Sequence, residues 1–350
     1  MKPSLPSSTA VTDAPRRRRI LLVSCAAGAL EPTGGLEIFL LRLAAELGAS
    51  HDVTMCSHPG PDGTDVPYQR PTERFERFEP SSVDVLDRLA RNHDLVLINQ
   101  WRYLVTSPER TVLMLHGGVQ QCYPEELATV GGRRRLVEEL ARPAALAACS
   151  SWAAGTLAEV AGRETHVLYP PIDPAFLETP SREKRPVIGY VGRLSHLKGV
   201  DLLPQIARHE GIGGLEVEAT RFTPDAGLET VFADAFSSGL VRSVEPFTDP
   251  ALLAAYMASL SALVVPSRIE GFGLSALEAQ AAGTFVVASS AGGLRESVLH
   301  GGGILTDGTV DELVKGLRTH HGKRPTDAVR ARIRSRFTAA ATTDRLLSLL

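Results

Sequence analysis

The chain has 350 residues, 43% hydrophobic and 22% charged, with a formal net charge of −3. That is the composition of an ordinary soluble globular protein long enough for two domains. The slightly acidic balance (pI about 6.4) disfavours nucleic acid as a partner, because duplex binders carry a basic excess. Cys25, Cys56, Cys122 and Cys149 form no C-x-x-C pair. They read as reduced thiols in a cytoplasmic protein rather than as a zinc site or a disulfide framework.

Residues 1–15, rich in Pro, Ser and Thr, read as a disordered tail. RRRRILLVSCAAG follows. Leu22 to Cys25 fits a lipoprotein cleavage pattern, but the apolar core from Ile20 to Ser24 is short for a signal segment. It reads well as a buried first strand, and no later apolar run is long enough to span a bilayer. DVTMCS (52–57), DLVLIN (94–99), TVLMLH (111–116) and ALAACS (145–150) read as further strands buried on both faces. Helical spacing appears between them at 36–47, 83–90 and 136–146. Strand alternating with helix implies right-handed crossovers and a parallel sheet.

The stretch YPPIDPAFLETPSREKRP (169–186) breaks the pattern with five prolines and a burst of charge, as an interdomain linker does. Alternation restarts with VIGYVG (187–192), LEVEAT (215–220), ALVVP (262–266) and TFVVAS (284–289), and 326–350 reads as one or two helices. The division expected is an N-terminal Rossmann-like domain at 16–172 and a linker at 173–186. A C-terminal Rossmann-like domain follows at 187–328, with a helical end at 329–350 that packs back on the first domain. The fold class is α/β, two parallel-sheet domains facing across a cleft. Open sheets bind ligands beyond the carboxyl ends of their strands.

Chemistry concentrates at two such ends in the second half. After ALVVP comes EGFGLSALEAQAAG, residues 270–283. Gly271 and Gly273 let backbone approach a ligand, and a helix starting near Leu274 offers unpaired N–H groups to an anion. Glu270 and Glu278 flank that anion site, where carboxylates suit the hydroxyls of sugars on either side of a phosphate. Glu278 also has capping-box spacing from Ser275, and a solvated loop acid remains an alternative for Glu270. Arg193 and Lys198 follow VIGYVG directly, placed to neutralise a diphosphate.

VGRLSHLKGVDLL, PSRIEGFGLSALEAQAAG and AGGLRESV together resemble the retaining GT-B glycosyltransferases of family four. In the first half, PTGGLEIFLLRLAAEL and LMLHGG fit that family more loosely. The resemblance implies a GT-B fold and transfer of a sugar from a UDP-, GDP- or dTDP-linked donor to a hydroxyl acceptor. It implies that Arg193 and Lys198 hold the diphosphate, that Glu278 takes the ribose and that Glu270 contacts the sugar. The backbone of Gly271, Phe272, Gly273 and Leu274 would line sugar and phosphate. Gly34 and Gly35 would form the loop near the diphosphate, and His116 would reach the sugar; a strand-end histidine with its hydrogen bonds satisfied is the plain alternative. RFTPD stands where the family carries a glycine-bearing strand end, which leaves the base open.

No D-x-D is present, so no metal and no other cofactor is expected. Asn99 and Trp101, at a strand end of the first half, are the acceptor candidates, against a packed loop aromatic. Arg133–Arg135 and Arg16–Arg19 allow peripheral membrane contact, with solvated charge as the plainer reading. A nicotinamide dehydrogenase lacks its G-x-G-x-x-G here. A non-hydrolysing sugar-nucleotide epimerase and a non-catalytic sugar-nucleotide-binding protein remain as alternatives.

Overall fold

A computed structural model describes residues 17–27, 35–58, 75–77, 83–99 and 107–350. The expectations for the tail at 1–15, for Gly34 and for Trp101 fall outside these residues.

The apolar runs of the first half form a seven-stranded parallel sheet. Its strands are β1 (Arg19–Ala27), β2 (Asp52–His58), β3 (Phe75–Arg77), β4 (Leu95–Asn99), β5 (Thr111–Leu115), β6 (Ala145–Ala148) and β7 (His166–Val167). They lie in the order β3-β2-β1-β4-β5-β6-β7. Every residue of β4, β5 and β6 is buried, because helices cover both faces of such a sheet and leave no solvent side. The helices include α1 (Gly35–Gly48), α2 (Val83–Arg91), α3 (Val130–Leu140) and α4 (Ser151–Ala161). The helix expected at 136–146 instead ends at Leu140 and starts at Val130, where Thr129 caps it by accepting from Gly132 N–H. The apolar residues beyond it belong to β6.

The second half forms a six-stranded parallel sheet in the order β10-β9-β8-β11-β12-β13. Its strands are β8 (Arg185–Tyr190), β9 (Glu216–Thr220), β10 (Arg242–Val244), β11 (Leu260–Val265), β12 (Val286–Ser289) and β13 (Gly303–Thr306). Chain order reverses between β8 and β11, and a crevice opens at such a switch point.

The stretch between the sheets is not a bare linker. It holds α5 (Pro174–Glu178), with Asp173 capping its start and Phe176 and Leu177 buried. This helix packs on α6 (Pro250–Ser259) and α7 (Leu274–Ala281) of the second half. Lys184 then pins the chain down: its Nζ donates to the carbonyls of Ala258 and Gly283 and to Thr284 Oγ1, at 2.9, 2.9 and 2.7 Å. Two helices close the chain, α8 (Asp327–Arg336) and α9 (Ala339–Leu347). The last of them packs against α1 of the first half. One apolar cluster therefore runs unbroken from Leu22 through Phe176 and Phe337 to Phe272 and Leu277.

Candidate active site

Arg193 and Lys198 lie on the segment after β8, and Glu270 lies on the segment after β11. Since β8 and β11 are neighbours, the switch point brings their loops together. Lys198 Nζ donates to Glu270 Oε2 at 2.6 Å, and Ser267 Oγ donates to the same oxygen at 3.3 Å. Arg193 is exposed. Its loop is held by Tyr190 Oη, which donates to the Arg193 carbonyl at 2.7 Å.

The turn after Glu270 is shaped by close approach. A Cβ on Gly271 would stand 2.2 Å from the His116 carbonyl oxygen of the other half. Gly273 precedes α7 at φ 93°, in the left-handed region, and a Cβ there would meet Leu294 Cδ2 at 2.6 Å. Among the described residues no side chain caps the start of α7 at Gly273, which leaves the N–H groups of Leu274 and Ser275 for a ligand. Phe272 turns its ring inward against Tyr169 and Phe337, at 5.7 and 5.8 Å between centroids.

Glu278, one turn into α7, is buried and does not form the capping box with Ser275. Its Oε1 instead accepts from Arg42 Nη2 of α1 at 3.5 Å. Burial pushes its carboxyl up to about 7, and the Arg42 charge opposes that rise.

His116 follows β5, half-buried. Its Nε2 is 3.1 Å from Asn99 Oδ1, and Phe39 meets its ring edge-on at 4.9 Å. Burial lowers it to about 4, so it is neutral at ordinary pH. Asn99 is fully buried. Gly35 is the first residue of α1.

The two halves are also joined through the N-terminus of α4. Ser150 Oγ donates to the Gly271 carbonyl at 2.7 Å. Glu296 accepts from the N–H groups of Ser151 and Trp152, both at 2.9 Å, and from Tyr169 Oη at 3.1 Å. A carboxylate there satisfies orphan donors and favours the helix dipole.

A family model described as Glycosyltransferase Family 4 matches residues 33–176, and one described as Glycosyl transferases group 1 matches 185–321. The chain belongs to glycosyltransferase family four. Among curated relatives, the D-inositol 3-phosphate glycosyltransferase of Pseudarthrobacter chlorophenolicus is 37% identical over 127 residues, 34% of this chain and 30% of that protein. The protein of the same name from Frankia alni is 39% identical over 150 residues, 38% of this chain and 37% of that one. The chain thus spans about a third of the length of these curated relatives.

Among solved structures, sucrose-phosphate synthase from Thermosynechococcus elongatus aligns with a TM-score of 0.72 at 20% identity, covering 95% of this chain and 98% of that one. HepE of Anabaena, in complex with UDP and glucose, aligns with a TM-score of 0.72 at 20% identity over 95% and 99% of the two chains. That likeness is one of fold, the two-domain GT-B arrangement.

Lys198, Glu270 and Gly271 come together where the segments after β8 and β11 adjoin, with Arg193 on the segment of Lys198 and the His116 carbonyl against Gly271. Sequence reasoning missed Arg42, Ser150 and Glu296. Glu296 lies inside AGGLRESV, quoted above without a role. Arg42 stands as a lone cation beside the apolar stripe of Phe39, Leu43 and Leu47, which was the available signal.

Proposed function

We propose that this family-four protein is a retaining, metal-independent glycosyltransferase. It moves a sugar from a nucleoside diphosphate donor to a hydroxyl of a sugar, cyclitol or other small-molecule or glycan acceptor. The observation that carries the reading is the convergence, at one switch point, of Lys198, Glu270 and the uncapped start of α7, with Arg193 on the same loop as Lys198. A cation pair and free N–H groups answer the charge of a leaving diphosphate. Glu270 and Glu278 suit the hydroxyls of the donor sugar and the ribose. The complex of HepE with UDP and glucose supports a uridine donor as the first to test.

In the step proposed, an acceptor hydroxyl attacks the anomeric carbon from the face the diphosphate leaves. The new bond joins that carbon to the acceptor oxygen. The bond to the phosphate oxygen breaks, and a phosphate oxygen takes the acceptor's proton. Lys198, Arg193 and the N–H groups of α7 stabilise the growing negative charge. Closure of the two halves about the donor would exclude water from the reacting centre.

The test is a thermal-shift panel of UDP-, GDP- and dTDP-sugars, followed by incubation of the stabilising donor with and without sugar and cyclitol acceptors. Nucleoside diphosphate release that depends on acceptor, with the anomeric configuration kept in the product, supports the proposal. Epimerised donor without acceptor, or binding without turnover, overturns it.

A further inference from the structure

Arg42 and Glu278 come from opposite halves of the molecule and meet in its interior. Both side chains are nearly buried, at 14% and 8% exposure. The guanidinium forks: Nη1 donates to the Pro171 carbonyl at 2.7 Å, and Nη2 reaches Glu278 Oε1 at 3.5 Å. Pro171 lies on the stretch that joins the two sheets. One arginine thus links α1 of the first half, the crossover between the halves, and an acid of the second half.

A buried pair of this kind gains little stability for the fold. Taking both charges out of water offsets their attraction unless the geometry is close and every lone pair is filled. Here the ionic contact is long. Among the described residues no donor reaches Glu278 Oε2. The arrangement holds one carboxylate oxygen and leaves the other unpaired, on the helix that starts directly after the Glu270–Gly273 turn.

We infer that Arg42 is a positioning residue for the ribose of the nucleotide donor: it grips Glu278 Oε1 across the domain boundary, so that Oε2 is aimed at the ribose hydroxyls as an ionised acceptor. This rests on the reading of Glu278 as the ribose contact. Two consequences follow for this chain. The ribose grip exists only when the halves are docked, since the arginine and the acid belong to different halves. Arg42 also opposes the effect of burial on Glu278. The charged groups that bear on Glu278 are Arg42 and Asp173, the cap of α5, whose negative charge acts against ionisation. The charges on neighbouring helices are engaged elsewhere: Arg330 with the Leu177 carbonyl, Arg336 with Tyr169, and Glu296 with the start of α4.

The experiment measures binding of UDP, GDP and ADP by calorimetry from slightly acid to alkaline pH. It uses the wild type, Arg42→Gln, Arg42→Lys and the two arginine variants in a Glu278→Gln background. The ratio of variant to wild-type Kd at each pH cancels the titration of the nucleotide itself. Removing an adjacent cation raises a carboxyl by about 1–3 pH units, so Arg42→Gln is expected to bind about 5- to 50-fold more weakly near neutral pH and to converge on the wild type at alkaline pH. Arg42→Lys keeps the charge and is expected to restore the wild-type profile. In the Glu278→Gln background the arginine variants are expected to add nothing. An Arg42→Gln protein with the wild-type affinity and pH profile overturns the inference, whatever its melting temperature. An equal loss at every pH that persists in the Glu278→Gln background overturns it too, by assigning Arg42 a purely structural role. A wild type that binds none of the three nucleotides overturns the donor-site reading and this inference with it.

Discussion

Lys198 and Glu270 sit 72 residues apart in the chain and 2.6 Å apart in the fold. The cation placed to meet the diphosphate is therefore paired, before any donor arrives, with the acid placed to meet the sugar. Donor binding must redistribute that pair, so that Lys198 turns to phosphate while Glu270 accepts from a sugar hydroxyl. Lys198→Ala is expected to slow transfer about 10²–10³-fold while changing donor affinity much less. Single-turnover rates set beside calorimetric Kd values check this; a loss confined to Kd would count against a role in the chemical step.

Glu278 should separate from Lys198 in the opposite sense. Hydrogen bonds to a charged group contribute about 1.5–3 kcal/mol, so Glu278→Gln is expected to weaken donor binding about 10- to 100-fold. Unchanged affinity for the donor that stabilises the wild type would remove Glu278 from the ribose subsite.

Gly271 marks where the halves touch. Its missing side chain leaves room for the His116 carbonyl, which a Cβ would approach to 2.2 Å. Gly271→Ala must push the donor turn away from the first half, and overpacking of this kind costs about 1–3 kcal/mol. A lowered melting temperature together with lost transfer is the expected pair of results. Full activity in the alanine variant would show that the close approach is dispensable.

Glu296 holds the start of α4 from the other half. Its removal strands the N–H groups of Ser151 and Trp152 and takes one partner from Tyr169 Oη, which keeps Arg336. Glu296→Ala is expected to lower stability by about 1–3 kcal/mol in urea unfolding, and to leave the site less well closed. A variant as stable as the wild type would mean that water replaces all three bonds.

Acid and base should act on stability through two groups that desolvation shifts in opposite directions. Burial lowers His116 to about 4, so its contribution is complete above its ordinary value of 6.5 and is lost as pH falls from there through 4. Glu278 is raised from 4.5 to about 7, so the fold is favoured below 4.5 and loses that advantage as pH rises to 7. The two slopes oppose each other in the wild type and must be read by difference. Relative to the wild type, His116→Gln should gain stability as pH falls through that window, and Glu278→Gln should gain as it rises. Urea midpoints across the pH range test both signs.

The architecture was largely legible because strands buried on both faces must be apolar throughout. LVLIN of β4 and TVLML of β5 announce themselves in that way. The edge and short strands β3, β7 and β10 did not, since FER, HV and RSV carry no apolar run. The helix expected at 136–146 was misplaced for a related reason. Its apolar residues served two elements in succession, separated by a turn at 141–144 whose carbonyls at Ala141, Pro143 and Ala144 accept from Arg163.

By itself the sequence determined the two-sheet alternation, the glycines of the donor turn and the residue types gathered at strand ends. Each of these depends on neighbours within a few positions, through strand period, helix period and turn geometry. Tertiary structure alone decided that Glu278 pairs with Arg42 rather than capping its own helix. It also decided that Glu296 caps α4 and that Gly271 abuts His116. Arg42 and Glu278 are 236 residues apart, and Glu296 and Ser151 are 145 apart. No local period encodes such pairs. They arise because two independently formed sheets dock, and a buried carboxylate must then find a partner in whatever surface it meets.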